Sequence, residues 1–177
     1  IGEILISLGL LFVGLDWMSG AIKPYTDAPI FAQAFDLLGS NPFLGVLVGA
    51  IVTAVMQSSS ASVGVLQTLA MNGVVTTNAA VYICLGSNIG SCYTALLSSI
   101  GASKNSKRAA IINLLFNCFG DLIFALFGFG VFTVNKKIAN ASIDSVQISI
   151  FHTIFNVVNT IIMFPIANLL VKVSCII

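Results

Sequence analysis

Long apolar stretches decide what this chain can become. Residues 4–22, 109–134 and 146–171 are each long enough to cross a bilayer, because ~20 helical residues rising 1.5 Å apiece cover a ~30 Å hydrocarbon core. Of the 177 residues, 58% are hydrophobic and only 7% charged, whereas a soluble domain carries roughly 25% charged residues. The expected fold class is an all-α, polytopic membrane protein whose surroundings are lipid. Seven basic residues against six acidic ones leave no cationic footprint for nucleic acid.

The remaining segments are shorter and more telling. Lys23 and Pro24 end the first span, residues 1–22. Residues 29–39 place Ile30, Ala34, Leu37 and Leu38 at helical spacing with Gln33 and Asp36 elsewhere, the pattern of an amphipathic helix lying at the interface. Asn41-Pro42 opens the next helix, Pro suiting a first turn. Its apolar run, 43–56, is ~21 Å long as a helix, and the run 61–73 is ~20 Å; neither crosses alone. Between them stands Gln57-Ser58-Ser59-Ser60. Two half-length helices on a polar break predict a re-entrant hairpin over 42–73, entering and leaving by one face. A single bent span is the alternative, overshooting the core by ~15 Å. Charge weighs the other way. The hairpin divides the basic residues four against three, whereas the straight span divides them five against two, nearer the positive-inside rule. A span over 75–101, broken at Gly86–Gly90, then spans over 109–134 and 146–171 complete the expected order. The chain opens on Ile1 within an apolar segment and shows no leader pattern, as expected of a piece of a longer protein.

The polar break carries the chemistry. In lipid, irregular backbone is tolerated only where protein or a cavity surrounds it. A helix ending at Met56 leaves carbonyls free around Thr53 to Met56, a partial negative charge suited to a cation. A helix starting near Ser60 leaves amides free around Ser60 to Val63, suited to an anion. One break can therefore hold both ions, as in transporters with discontinuous helices. On the next span Ser87, Ser91 and Thr94 fall at i, i+4 and i+7, one helical face. Gly86 and Gly90 permit close backbone approach, and Asn88 adds a carbonyl and two donors, counted here with Ser58, Ser59 and Ser60 as the anion contacts. Neutral oxygens from Gln57, Ser87, Ser91 and Thr94 suit sodium better than a divalent ion, which recruits carboxylates. Packing between helices is the structural alternative for each such residue.

Other residues suggest less. Asp121 lies inside a span, where a carboxylate marks function by default or forms an interhelical hydrogen bond. His152 reads as a packing residue. A Ser60–His152 nucleophile pair lacks the G-x-S-x-G setting, and Cys84, Cys92, Cys118 and Cys175 lack C-x-x-C spacing and read as small apolar residues. No acid–base pair or metal-ligand set can be assembled, so an enzyme is not expected.

Three stretches resemble the type II sodium–phosphate cotransporter family, bacterial members included: VTAVMQSSSASVGVLQTLA at 52–70, LGSNIGSCYTALLSSIGA at 85–102 and FHTIFNVVN at 151–159. That resemblance implies two inverted repeats, each with a QSSS hairpin, binding inorganic phosphate and sodium between the tips. This chain, residues 1–177, resembles the C-terminal repeat alone. It implies phosphate near Ser58, Ser59 and Ser60, and sodium at Gln57, Ser87, Ser91 and Thr94. Sodium would be the coupling ion, with no cofactor. The partners implied are the missing N-terminal repeat or a second, antiparallel copy, in a cell membrane. Ser91 keeps the hydroxyl of the family's usual Thr, whereas Cys92 and Tyr93 stand where small hydroxylated residues are usual. The resemblance assigns nothing to Asp121. The leading expectation is sodium-coupled phosphate transport by alternating access. A phosphate exporter, a carrier of another small anion, or a non-transporting subunit or sensor are the alternatives.

Overall fold

The computed structural model describes residues 2–25 and 28–176. Its helices are α1 (Gly2–Ile22), α2 (Pro29–Ser40), α3 (Pro42–Met56), α4 (Ser59–Met71), α5 (Thr77–Ser99), α6 (Lys104–Val134), α7 (Lys136–Ala139), α8 (Ser145–Met163) and α9 (Ala167–Ser174), with short 3-10 turns at Lys23–Tyr25 and Phe164–Ile166. Among the described residues no strand forms; Thr76 and Ser142 make one isolated bridge. Gly2–Ala21, Thr77–Ser99, Lys104–Val134 and Ser145–Ser174 are long and apolar enough to cross a membrane. The protein is an all-α, multi-pass membrane protein.

The fold is built around α5, whose residues Asn78 to Asn88 are buried without interruption. Glycines let α3 lie directly on it. Gly45 faces Tyr82, Gly49 faces Ile83, Gly86 faces Val46 and Ala50, and Gly90 faces Ala50 and Thr53. The two numberings rise together, so α3 runs parallel to α5. A Cβ at Gly86 or Gly49 would land on the partner helix's backbone, which is the close approach that small residues permit between membrane helices.

The break reverses the chain. Ser62 near the start of α4 meets Ser87 of α5, Oγ to Oγ at 3.3 Å. Farther along, the Gln67 amide donates to the carbonyl of Ser145 at 3.2 Å and to the Ser149 hydroxyl. The Ser145 end of α8 is tied to the start of α5 by Ile143 N–H donating to the Val75 carbonyl, 3.4 Å. Thus α4 descends toward the N-terminal end of α5, antiparallel to α3. Both arms lie on the same half of α5, on different faces. On a third side α6 returns antiparallel: Phe132 meets Tyr82 edge to face at 5.9 Å, and Phe124 meets Phe155 of α8 at 4.7 Å. α1 packs on α4, where Asn72 donates to Ser19 at 3.2 Å; Leu5, Leu10 and Trp17 on α1 are exposed, as suits lipid or a partner helix.

Several expectations change. The span over 75–101 is not broken at Gly86–Gly90: α5 is continuous. Its hydroxyls are satisfied inside the helix, Ser87 donating to Ile83 O at 3.0 Å, Ser91 to Asn88 O at 2.7 Å and Thr94 to Ser91 O at 3.1 Å. Its glycines serve the contact with α3 rather than a bend. The buried face of α2 is Phe35 and Gly39, while Ile30 and Leu37 are 71% and 55% exposed. The reason is tertiary: Gly39 abuts Asn78 of α5, and that contact fixes the rotation of α2. The last span is jointed at Pro165, where a 3-10 turn separates α8 from α9, because proline lacks the N–H that a continuous helix uses. The loop after α6 holds the short α7, capped by Asn135 accepting from Ile138 N–H at 3.3 Å.

Candidate functional site

Between Met56 and Ser59 only two residues are non-helical, and each has a distinct job. Gln57 is left-handed, φ 54° and ψ 22°, and its N–H donates to the Thr53 carbonyl at 2.7 Å. A non-glycine residue held there costs about 1–3 kcal/mol, which the surrounding structure must offset. Ser58 is extended, φ −149° and ψ 110°. Its Oγ accepts from Ala61 N–H at 3.2 Å and its carbonyl from Ser62 N–H at 3.0 Å, an N-cap.

The free groups are therefore not quite those expected. The Thr53 carbonyl is taken by Gln57. The Ala61 and Ser62 amides are taken by Ser58, so the first-turn donors without an intrahelical acceptor are Ser59 and Ser60. Those amides stand at the positive end of the α4 dipole. The Ser58 hydroxyl proton remains free to donate outward. Gln57 and Ser60 are exposed, and Ser58 and Ser59 half-buried.

Beside the break, the α5 hydroxyls run from inside to outside. Ser87 is fully buried, Ser91 half-buried and Thr94 exposed. Among the described residues no hydrogen bond joins Gln57 to any of them. Asn88 is placed elsewhere. It is buried beside Asp121 of α6, which also faces the Ile89 backbone, because residue 88 lies about 100° around α5 from Ser87.

Two residues join the eight that the sequence singles out. Ser62 reaches Ser87, linking the second arm to α5. Thr53 is fully buried against Gly90, with an Oγ that makes no hydrogen bond. Each lies four residues from a break residue, Thr53 before Gln57 and Ser62 after Ser58. Helical periodicity therefore puts both on the faces that the break itself presents. Among the described residues no group of three His, Cys, Asp or Glu side chains could hold a metal ion. The break itself offers helix ends and neutral oxygens.

Residues 28–139, from the start of α2 through α7, match the family model described as "Na+/Pi-cotransporter". The chain belongs to that family. The matched region contains the break and the whole of α5. Among relatives of this family, a Bacillus subtilis protein named YqeW is 27% identical over 170 residues, 96% of this chain and 54% of its own length. The Escherichia coli protein named "Putative inorganic phosphate export protein YjbB" is 30% identical over 166 residues, 93% of this chain and 30% of its own length. Human "Sodium-dependent phosphate transport protein 2B" is 31% identical over 134 residues, 70% of this chain and 19% of its own length. The chain thus spans between about a fifth and about half of the length of these relatives. No solved structure matches it.

Proposed function

We propose that this chain is one repeat of a secondary transporter that moves inorganic phosphate across a cell membrane with sodium as the coupling ion. The observation that carries this reading is the two-residue break, which presents the α4 first-turn amides and three serine hydroxyls beside the buried Ser62–Ser87 contact. Amides at a helix N-terminus favour an anion, and neutral oxygens in a dry setting favour a weakly charged cation. In this reading Ser58, Ser59 and Ser60 hold phosphate. Gln57, Ser87, Ser91 and Thr94 hold sodium, supported by Thr53. The α3–α4 unit acts as a re-entrant hairpin, and a second, inverted repeat, on the same polypeptide or a second copy, supplies the rest of the shell. Asn88 supports the site from behind, since it faces α6.

Radiolabelled phosphate uptake into proteoliposomes holding the full-length protein tests this. Uptake should collapse when choline replaces sodium, and Gln57→Ala should lower it while the protein stays monodisperse. Robust uptake without sodium removes the coupling. An outward direction is the second reading, favoured by the relatives named for phosphate export. Vesicles loaded with phosphate distinguish it: sodium-independent efflux exceeding influx would replace the uptake reading.

A further inference from the structure

On the α6 side of α5 lies a second polar layer, of which only Asn88 adjoins the break's site. Asp121 is 2% exposed, Asn88 6% and Asn159 of α8 1%. Asp121 faces Asn88. Asn159 is pressed onto Gly120, the residue before Asp121, so closely that a Cβ there would overlap its amide. The Asn88 amide and the Ile89 backbone come near enough to Asp121 to stabilise its charge, but neither carboxylate oxygen makes a hydrogen bond of good geometry, nor do Asn88 Nδ2, Asn159 Oδ1 and Asn159 Nδ2. Five such atoms belong to this layer, those of Asn88 and Asp121 side by side and those of Asn159 over the neighbouring Gly120, at membrane depth, where unpartnered polar groups are costly and ionisable ones mark ion or proton paths.

Among the described residues no cation answers the carboxylate. The groups around it are the thiols of Cys84, Cys92 and Cys118. His152 lies two turns from Asn159 on α8, ~10 Å along the axis, with its own Nε2 unpartnered. Arg108 is thirteen positions before Asp121 on α6, ~20 Å away, and Lys172 belongs to α9, which packs on α6. One carboxylate with neutral amide oxygens carries a single negative charge, matched by a single positive one; divalent ions recruit more carboxylates.

We propose that Asp121, Asn88 and Asn159 form a buried site for one monovalent cation, sodium or a proton, at the junction of α5, α6 and α8. Its position gives it a mechanical connection. Asn88 adjoins Ser87, whose hydroxyl meets Ser62 on the second arm of the break, so filling or emptying the layer bears on that arm. Sodium occupancy of the site is read without phosphate and so stands apart from the proposed substrate; the proton arm, read through flux, rests on that proposal.

The test uses the full-length protein in detergent, with Asp121→Asn, Asn159→Ala and Asp121→Glu beside the unaltered chain. Radiosodium binding is measured without phosphate, and radiolabelled phosphate flux in liposomes is followed from mildly acidic to mildly alkaline pH. If sodium fills the site, Asp121→Asn weakens sodium binding by about tenfold or more, the order seen when support for a bound metal is lost, and Asp121→Glu restores part of it. If a proton fills it, sodium binding is unchanged but Asp121→Asn flattens the pH dependence of flux. Unchanged sodium binding together with an unchanged pH profile overturns the proposal and leaves Asp121 a packing residue. Should Asp121→Asn fail to fold, Asn159→Ala is held to the same two readouts. Loss of sodium binding in Asp121→Asn alongside sodium-independent phosphate flux would sink the coupling mechanism, not this site.

Discussion

Gln57 shows how one residue serves two masters. Its backbone is left-handed, a conformation that costs L-residues free energy and that glycine adopts freely, while its side chain is proposed to bind sodium. Gln57→Gly should therefore leave the fold as stable as before, or raise stability by about 1 kcal/mol, while sodium-dependent flux falls as sharply as in Gln57→Ala. Thermal unfolding by intrinsic fluorescence together with flux separates the two effects; a large drop in melting temperature would show that the side chain is structural. Ser58 is the opposite case, since its oxygen already caps α4. Ser58→Ala should cost about 1 kcal/mol of stability in addition to any loss of phosphate affinity. Unchanged stability would mean that the cap is dispensable.

At the scale of elements, α3 and α5 are joined backbone to backbone and α1 is joined to α4 far more loosely. Gly86→Ala should destabilise by about 1–3 kcal/mol or more, because the new methyl meets Val46 O and Ala50 N rather than a side chain that can yield. At Gly64 a Cβ would sit 3.7 Å from Leu15, ordinary contact, so Gly64→Ala should be tolerated. Equal melting temperatures for the two variants would contradict this packing. The same contrast explains what the sequence can disclose. The break is legible because four polar residues stand in an apolar run of known length, and helix arithmetic sets where each arm must stop. The Gly86–Gly90 segment reads equally well as a second break, because glycine marks either a bend or a close neighbour, and only the neighbour, α3, decides. The rotation of α2 and the turning of Asn88 toward Asp121 are likewise set by contacts distant along the chain, as with Gly39 and Asn78. Local periodicity carries no record of them. Asp121 is visible as a carboxylate inside a span, but its two asparagine neighbours come from other helices.

Across the molecule, burial is uneven. The first two-thirds of α5 is enclosed on all sides, whereas α1 and the lipid-facing sides of α6 and α8 are open. Hydrogen exchange in nanodiscs should rank accordingly: amides of residues 79–92 exchange slowest, and those of Ser59 and Ser60, which have no helical acceptor, fastest within α4. Uniform protection through residues 42–71 would mean that the break is closed by some other acceptor.

The glycine contact has one more consequence. Two helices whose main chains touch at Gly49, Gly86 and Gly90 cannot slide or rotate past each other without separating altogether. They behave as a single strut, with Gln57 as a swivel at its tip. Relative motion inside the repeat is therefore confined to what surrounds the strut, α4 included, which meets α5 through side chains such as Ser62 and Ser87 rather than main chain to main chain.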